Sequence, residues 1–150
     1  MLILDTDHLS LLEWANSSTL GLQMRLSRVD PEEVVTTVIT YEEQMRGWLA
    51  RSAQANTTGR MLIVYERMLK HIETFRDLII LAFDAEAASE FEKLQQARIR
   101  IGTMDLKIAA ICLANNATLL SRNLKDFGQV PGLKVEDWSA KTKKRLRTPS

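Results

Sequence analysis

Short apolar runs alternate along this chain with longer segments of helical periodicity. Leu2, Ile3 and Leu4 end at Asp5-Thr6-Asp7, which predicts a buried strand leading into a helix. Leu9, Leu11, Leu12 and Ala15 give that helix an apolar face. A second helix is expected over residues 17–29, with Leu20, Leu22, Met24, Leu26 and Val29 as its apolar positions, and Asp30-Pro31 is a turn. Residues 34–39 are rich in β-branched side chains and predict a second strand. Thr40-Tyr41-Glu42-Glu43 then reads as a capping box, in which Glu43 reaches back to the Thr40 N–H and a helix opens. Met45, Trp48 and Leu49 continue that helix, and Gly47 inside it suggests close packing of another backbone.

Residues 57–77 are the clearest amphipathic helix: Met61, Leu62, Tyr65, Met68, Leu69, Ile72 and Phe75 follow the i, i+3, i+4, i+7 pattern of one apolar face. His71 lies within it and is expected to be an ordinary surface or packing histidine. Residues 78–83 predict a third strand. Asp84 caps the next helix, which buries Ala87, Ala88, Phe91 and Leu94. After Gly102, Thr103 is a candidate cap and Asp105 falls in the first turn of a helix that is apolar nearly all round from Leu106 to Ala114. Asn115-Asn116 end it, residues 117–121 form a short strand, and Asp126 lies just past that strand. Pro131-Gly132 makes a turn, and Leu133-Lys134-Val135 adds an edge strand before Trp138. Strands alternating with helices predict one α/β domain with a parallel, largely buried sheet.

Composition narrows the class. A chain of 150 residues with 45% hydrophobic and 26% charged content is an ordinary globular domain. Its longest apolar runs, 78–83 and 108–114, are too short to span a bilayer, so no membrane partner is expected. No leader is expected at the N-terminus. Cys112 is the only cysteine, which excludes an intrachain disulfide and fits a reducing cytoplasm. Lys141, Lys143, Lys144, Arg145 and Arg147 crowd the last ten residues; setting them aside from the net +1 leaves −4 on residues 1–140. The expected division is a domain over 1–138 and a solvated basic tail over 139–150. An acidic body with a basic tail is compatible with a nucleic-acid partner.

Four acids fall at junctions between elements: Asp5, Glu43, Asp105 and Asp126. Each has a local explanation as a cap, a capping box, a dipole partner or a turn residue. Together they share one topological location, beyond strand ends, where sites form in open α/β sheets. Four close carboxylates would raise one another's pKa, and a divalent cation would relieve the repulsion. Oxygen ligands favour Mg²⁺ or Mn²⁺, and Ser121 and Asn123 offer neutral oxygens nearby. Such a centre suits hydrolysis of a phosphodiester by a metal-activated water.

At these residues the sequence resembles the PIN-domain ribonucleases, specifically the VapC-type toxins of bacterial toxin–antitoxin pairs. Leu4-Asp5-Thr6-Asp7 resembles the family's opening Leu-Asp-Thr-Asn, with Asp7 in place of the usual Asn. Val38-Ile39-Thr40-Tyr41-Glu42-Glu43 followed by Gly47 resembles its strand–helix motif, with Gln44 departing from the usual Leu. Ile101-Gly102-Thr103-Met104-Asp105 with Ile108-Ala109-Ala110 resembles the third motif. Ser121-Arg122-Asn123, Asp126-Phe127, Val130-Pro131-Gly132-Leu133 and Glu136-Asp137-Trp138 resemble the closing segment. The resemblance implies a three-layer α/β/α fold with a mostly parallel central sheet. It implies Mg²⁺- or Mn²⁺-dependent endonucleolytic cleavage of RNA in the cytoplasm, leaving a 5′-phosphate and a 3′-hydroxyl. It also implies a homodimer and a cognate antitoxin that occludes the site. Carried over, Asp5, Asp105 and Asp126 are metal ligands, Glu43 binds metal or orients water, and Thr6, Ser121 and Asn123 support the cluster. Asp7 either adds charge to the site or caps the first helix.

Two rivals remain at this point. A PIN-like module could hold RNA or an antitoxin without turnover. Asp5-Thr6-Asp7 also resembles the Asp-x-Asp opening of haloacid-dehalogenase-type phosphatases, but Leu9 stands where that family has Thr or Val, and no later lysine or paired-acid motif matches.

Overall fold

The structure, a computed structural model, describes residues 1–14 and 16–139. Ala15 and the basic segment from residue 140 onward lie outside the described residues. Five strands, β1 (Leu2–Leu4), β2 (Val34–Thr37), β3 (Ile79–Leu81), β4 (Thr118–Leu120) and β5 (Lys134–Glu136), form one sheet in the order β3-β2-β1-β4-β5. Every pairing is parallel, with Leu2 opposite both Val34 and Thr118. All strand C-termini therefore lie along one edge. The chain lays β2 and β3 on one side of β1 before crossing to β4 and β5 on the other. The switch point is between β1 and β4, where a parallel sheet opens a crevice.

Among the described residues seven α-helices connect the strands: α1 (Thr6–Glu13), α2 (Leu20–Ser27), α3 (Val38–Gln54), α4 (Thr58–Arg76), α5 (Ala85–Gln96), α6 (Thr103–Ala114) and α7 (Leu124–Phe127). Successive strand residues face opposite ways, and the core divides accordingly. Ile3, Val35 and Leu119 pack with Ala87, Leu94 and the apolar residues of α6. Leu4 and Leu120 pack with Leu9 and Phe75 on the other face. Helices thus cover both faces, giving three layers, α/β/α, as the family resemblance implied. The α6 helix is buried from Ile108 to Cys112, in keeping with its unbroken apolar run. Among the described residues no helix is long and apolar enough to cross a membrane.

Several boundaries differ from the sequence reading. Val38 and Ile39 belong to α3, not to β2, because the Thr37 side chain accepts from the Thr40 N–H at 3.1 Å and starts the helix there. Thr40 is therefore inside the helix, and no capping box forms between it and Glu43. Residues 78–83 contribute only three strand residues; β3 is an edge strand, and Ile79 and Ile80 are exposed. The cap of α6 is Gly102, one residue before Thr103. No other backbone lies close to Gly47, where an added Cβ would meet nothing within 4 Å. The α4 helix forms as expected, yet of its apolar stripe only Phe75 is buried, while Met61, Leu62, Tyr65, Leu69 and Ile72 face solvent, Leu62 at 69% exposure. The buried partner on that helix is His71, whose Nδ1 lies 3.1 Å from the equally buried Glu13 carboxylate and whose ring packs on Phe75.

Candidate active site

The crevice edge collects the acids because three kinds of junction meet there. Asp5 follows β1 and is the N-cap of α1; its Oδ1 accepts from the Thr6 N–H at 2.8 Å. The Asp5 N–H donates to the Leu120 carbonyl, so β1 and β4 are paired up to the site. Glu43 projects from the second turn of α3, which leaves the end of β2. Asp105 sits in the first turn of α6. That helix leads directly into the parallel strand β4, which brings its N-terminus back to the C-terminal edge of the sheet. Asp126 lies in α7, a single turn after β4, not in an open loop.

Ser121 holds these pieces together. Its Oγ donates to Asp5 Oδ2 at 2.8 Å and accepts the Asn123 N–H at 3.0 Å. Asn123 caps α7 and donates from Nδ2 to Asp126 Oδ2 at 3.0 Å. Burial pushes Asp5 up to about 6, against the Ser121 and Thr6 hydrogen bonds and with help from Asp7 and Asp105. Glu43 is pushed up to about 7, first by burial and then by Asp5 and Asp105. Burial, Asp126 and Asp7 raise Asp105. The acids from β1, α3, α6 and α7 therefore share one field. Thr6 opposes the rise at Glu43, yet neither Thr6 Oγ1 nor Glu43 Oε1 is in a well-formed hydrogen bond among the described residues, although both atoms are buried.

This donor set suits a hard cation: it is all oxygen, mutually repelling, and carries a buried oxygen outside any well-formed hydrogen bond among the described residues. Among the described residues no three acid, imidazole or thiol side chains already close into a metal cage. A cation would therefore have to draw the carboxylates inward.

Of the two roles suggested for Asp7, it does not cap the first helix, where Asp5 is the N-cap, but its charge does reach the site, raising Asp5 and Asp105. It lies in the first turn of α1 and faces the β4–α7 loop, accepting the Arg122 N–H at 2.9 Å on Oδ2, with Ser121 Oγ 3.4 Å from the same oxygen. Its Oδ1 is 2.7 Å from His8 Nδ1. His8 is fully buried, and its Nε2 accepts the Trp138 N–H at 3.1 Å, which places the ring proton on Nδ1, facing Asp7. Burial alone would raise the Asp7 pKa, but His8 and the Arg122 N–H outweigh it and hold the group below its ordinary value. An Asp7–His8 pair thus ties the site loop to the segment after β5. Adjacent Asp and His just past a strand was the only sequence signal for it.

No family model matches the chain. It is 44% identical to ribonuclease VapC2 of Rickettsia felis over 46 residues, 31% of this chain and 34% of that one. It is 36% identical to ribonuclease VapC1 of the same organism over 80 residues, 50% of this chain and 60% of that one. The matches span about one third and three fifths of these relatives' lengths. Solved structures are similar over nearly the whole chain. FitAB bound to an IR36 DNA fragment gives a TM-score of 0.72 at 19% identity, covering 96% of this chain and 99% of that one. VapBC-1 from nontypeable Haemophilus influenzae gives 0.69 at 24%, covering 93% and 98%. VapBC2 from Rickettsia felis, bound to promoter DNA, gives 0.65 at 22%, covering 91% and 98%. At these identities the structural likeness is one of fold. The chain thus shares its fold with these structures over its described length, and is similar in sequence, over part of its length, to proteins named ribonuclease VapC.

Proposed function

We propose that this chain is a divalent-cation-dependent endoribonuclease that serves as the toxin of a toxin–antitoxin pair. The observation that carries the reading is the coupled set of acids at the switch point, with a buried Glu43 oxygen outside any well-formed hydrogen bond among the described residues. The partial matches to proteins named ribonuclease VapC support the same chemistry. Asp5, Asp105 and Asp126 would hold Mg²⁺ or Mn²⁺, with Glu43 binding the ion or the water beside it. The bound cation would supply an activated water and neutralise charge on the phosphodiester. The chain's own part is positional. Ser121 fixes the Asp5 carboxylate, Asn123 fixes Asp126, and Glu43, with one buried oxygen outside any well-formed hydrogen bond among the described residues, would orient the attacking water.

The exposed α4 stripe supports a protein partner, because an apolar face of this kind seldom stays uncovered. A cognate antitoxin fits the reading, as does a second copy of the chain in a homodimer. The test is incubation of the isolated protein with total RNA in Mg²⁺ or Mn²⁺, with EDTA as control, beside the D105N variant. Discrete metal-dependent fragments with 5′-phosphate ends are expected from the parent. D105N should lose cleavage while keeping its far-ultraviolet circular dichroism. Full activity in D105N would sink the site assignment. A folded, partner-free protein that cuts no RNA would leave a catalytically silent binding module.

A further inference from the structure

A cleft of about 580 Å³ opens beside Glu43 and runs away from the acids between α1, α3 and α4. Thr6 and Glu43 line one end, so it is continuous with the candidate active site. Gln44 lines it further along and is 91% buried by its 9% exposure. Its Nε2 points at the Thr6 carbonyl (3.5 Å) and Ser10 Oγ (3.4 Å), whereas its Oε1 has no partner among the described residues. Turning the amide over would set Oε1 against the Thr6 carbonyl, so the free acceptor belongs to this orientation. A buried carbonyl left without a donor is costly; Oε1 has almost no accessible surface, so a ligand N–H reaches it only when the Gln44 side chain turns towards the cleft. Arg51 and Arg67 also line the cleft, each beside a tryptophan: Arg51 lies 4.8 Å from the Trp48 ring centroid and Arg67 5.1 Å from that of Trp14. Among the described residues the arginines in ion pairs are Arg46 and Arg76, so these two guanidiniums keep their charge for something else.

We propose that this cleft is a nucleotide subsite: it takes the residue of single-stranded RNA next to the scissile phosphodiester, with a base-edge N–H on Gln44 Oε1 and flanking phosphates on Arg51 and Arg67. This rests on the ribonuclease reading for its position relative to the cut, but not for binding itself. A nucleotide supplies in one ligand an N–H donor for Gln44 and anionic charge for the two arginines, although Glu13 and Glu43 also line the cleft. The volume falls within the ~300–1,000 Å³ of small-ligand sites. Leu at position 44, the residue usual in the family this sequence resembles, could accept nothing, so the subsite would be a property of this chain.

Binding of fluorescent A5, C5, G5 and U5 RNA in EDTA tests the proposal without turnover. The parent should rank the four oligonucleotides at least fivefold apart, and Q44L should compress that spread below twofold. R51Q and R67Q lie at exposed positions and should each weaken every oligonucleotide severalfold. Each should also reduce the slope of log Kd against log salt by about 0.7. The proposal is overturned if Q44L keeps the parent's ranking or if the arginine variants leave Kd and slope unchanged. It is overturned in favour of a protein ligand if the cleft variants affect only binding of a glutamate-rich peptide. Base-ranked binding without cleavage in any divalent metal would remove the ribonuclease reading and leave the subsite. Cleavage with a Q44L ranking identical to the parent's would do the reverse.

Discussion

Asp5 offers the sharpest test of the electrostatics, because its carboxylate is both nearly buried and fully hydrogen-bonded. Its pKa rises from 3.8 to about 6 on folding. An acid raised in the folded state makes that state bind more protons than the unfolded chain, so its contribution falls as pH rises. The loss accumulates between pH 3.8 and 6 and is complete above the folded value. A rise of this size, at about 1.36 kcal/mol per pH unit, costs the protein about 3 kcal/mol at pH 7.5 and about 1 kcal/mol at pH 4.5. Asn at position 5 removes the charge and keeps the geometry. Its oxygen can still accept from the Thr6 N–H, and its amide can donate to Ser121 Oγ, whose own proton can turn to Asp7 Oδ2, 3.4 Å away. D5N should therefore melt roughly 6–12 °C above the parent in EDTA at pH 7.5, with most of that gain gone by pH 4.5. Thermal denaturation followed by circular dichroism across that range measures it. Mn²⁺ should raise the melting temperature of the parent and leave D5N nearly unmoved. A D5N protein less stable than the parent at pH 7.5, or a gain that persists unchanged to pH 4.5, would refute the reasoning.

The Asp7–His8 pair should respond in the opposite direction. In D7N one amide face must confront either the Arg122 N–H or the His8 Nδ1–H with a donor, costing about 1–3 kcal/mol. Urea denaturation of D7N, H8L and the double variant should show the asparagine tolerated once His8 is gone, and additive losses would count against the coupling. At Gly128 an added Cβ would stand 2.6 Å from the Leu124 carbonyl oxygen, the acceptor of the Gly128 N–H. G128A should lose roughly 1–3 kcal/mol, or about 3–10 °C in melting temperature; an unchanged melt would show that the α7 turn yields.

What could be read from the sequence was what depends on near neighbours. The strand-to-acid junction at Leu4-Asp5, the all-apolar α6 and the Asp84 cap follow from local composition, and each is where it was expected. Residues 34–39 failed because β-branching cannot show where a cap intervenes: Thr37 takes the cap, so Val38 and Ile39 wind into α3 despite their propensity. The same shift removes the local explanation for Glu43, whose acid then stands in the site unaccounted for by capping. The α4 stripe had the right period and forms the expected amphipathic helix, but periodicity shows that a face is apolar and not what covers it. The roles of Asp7 and Gln44 depend on residues 115 and 38 positions away, respectively, beyond the reach of any local pattern.

The strand order has a bearing on biosynthesis. β1 is made first, yet it lies at the centre of the sheet, and its neighbour β4 and the Ser121 anchor arrive only after more than a hundred residues have been added. Until then Asp5 has no Ser121, Asp105 has no returning strand behind it, and Asp126 does not exist. Folding must close these long-range pairings late, which slows it. A ribosome making this protein therefore carries an unassembled acidic centre for most of the elongation cycle. A stalled or truncated nascent chain that ends before α7 would lack the full set of acids and, on the ribonuclease reading proposed above, could not cut the RNA that threads the machine building it.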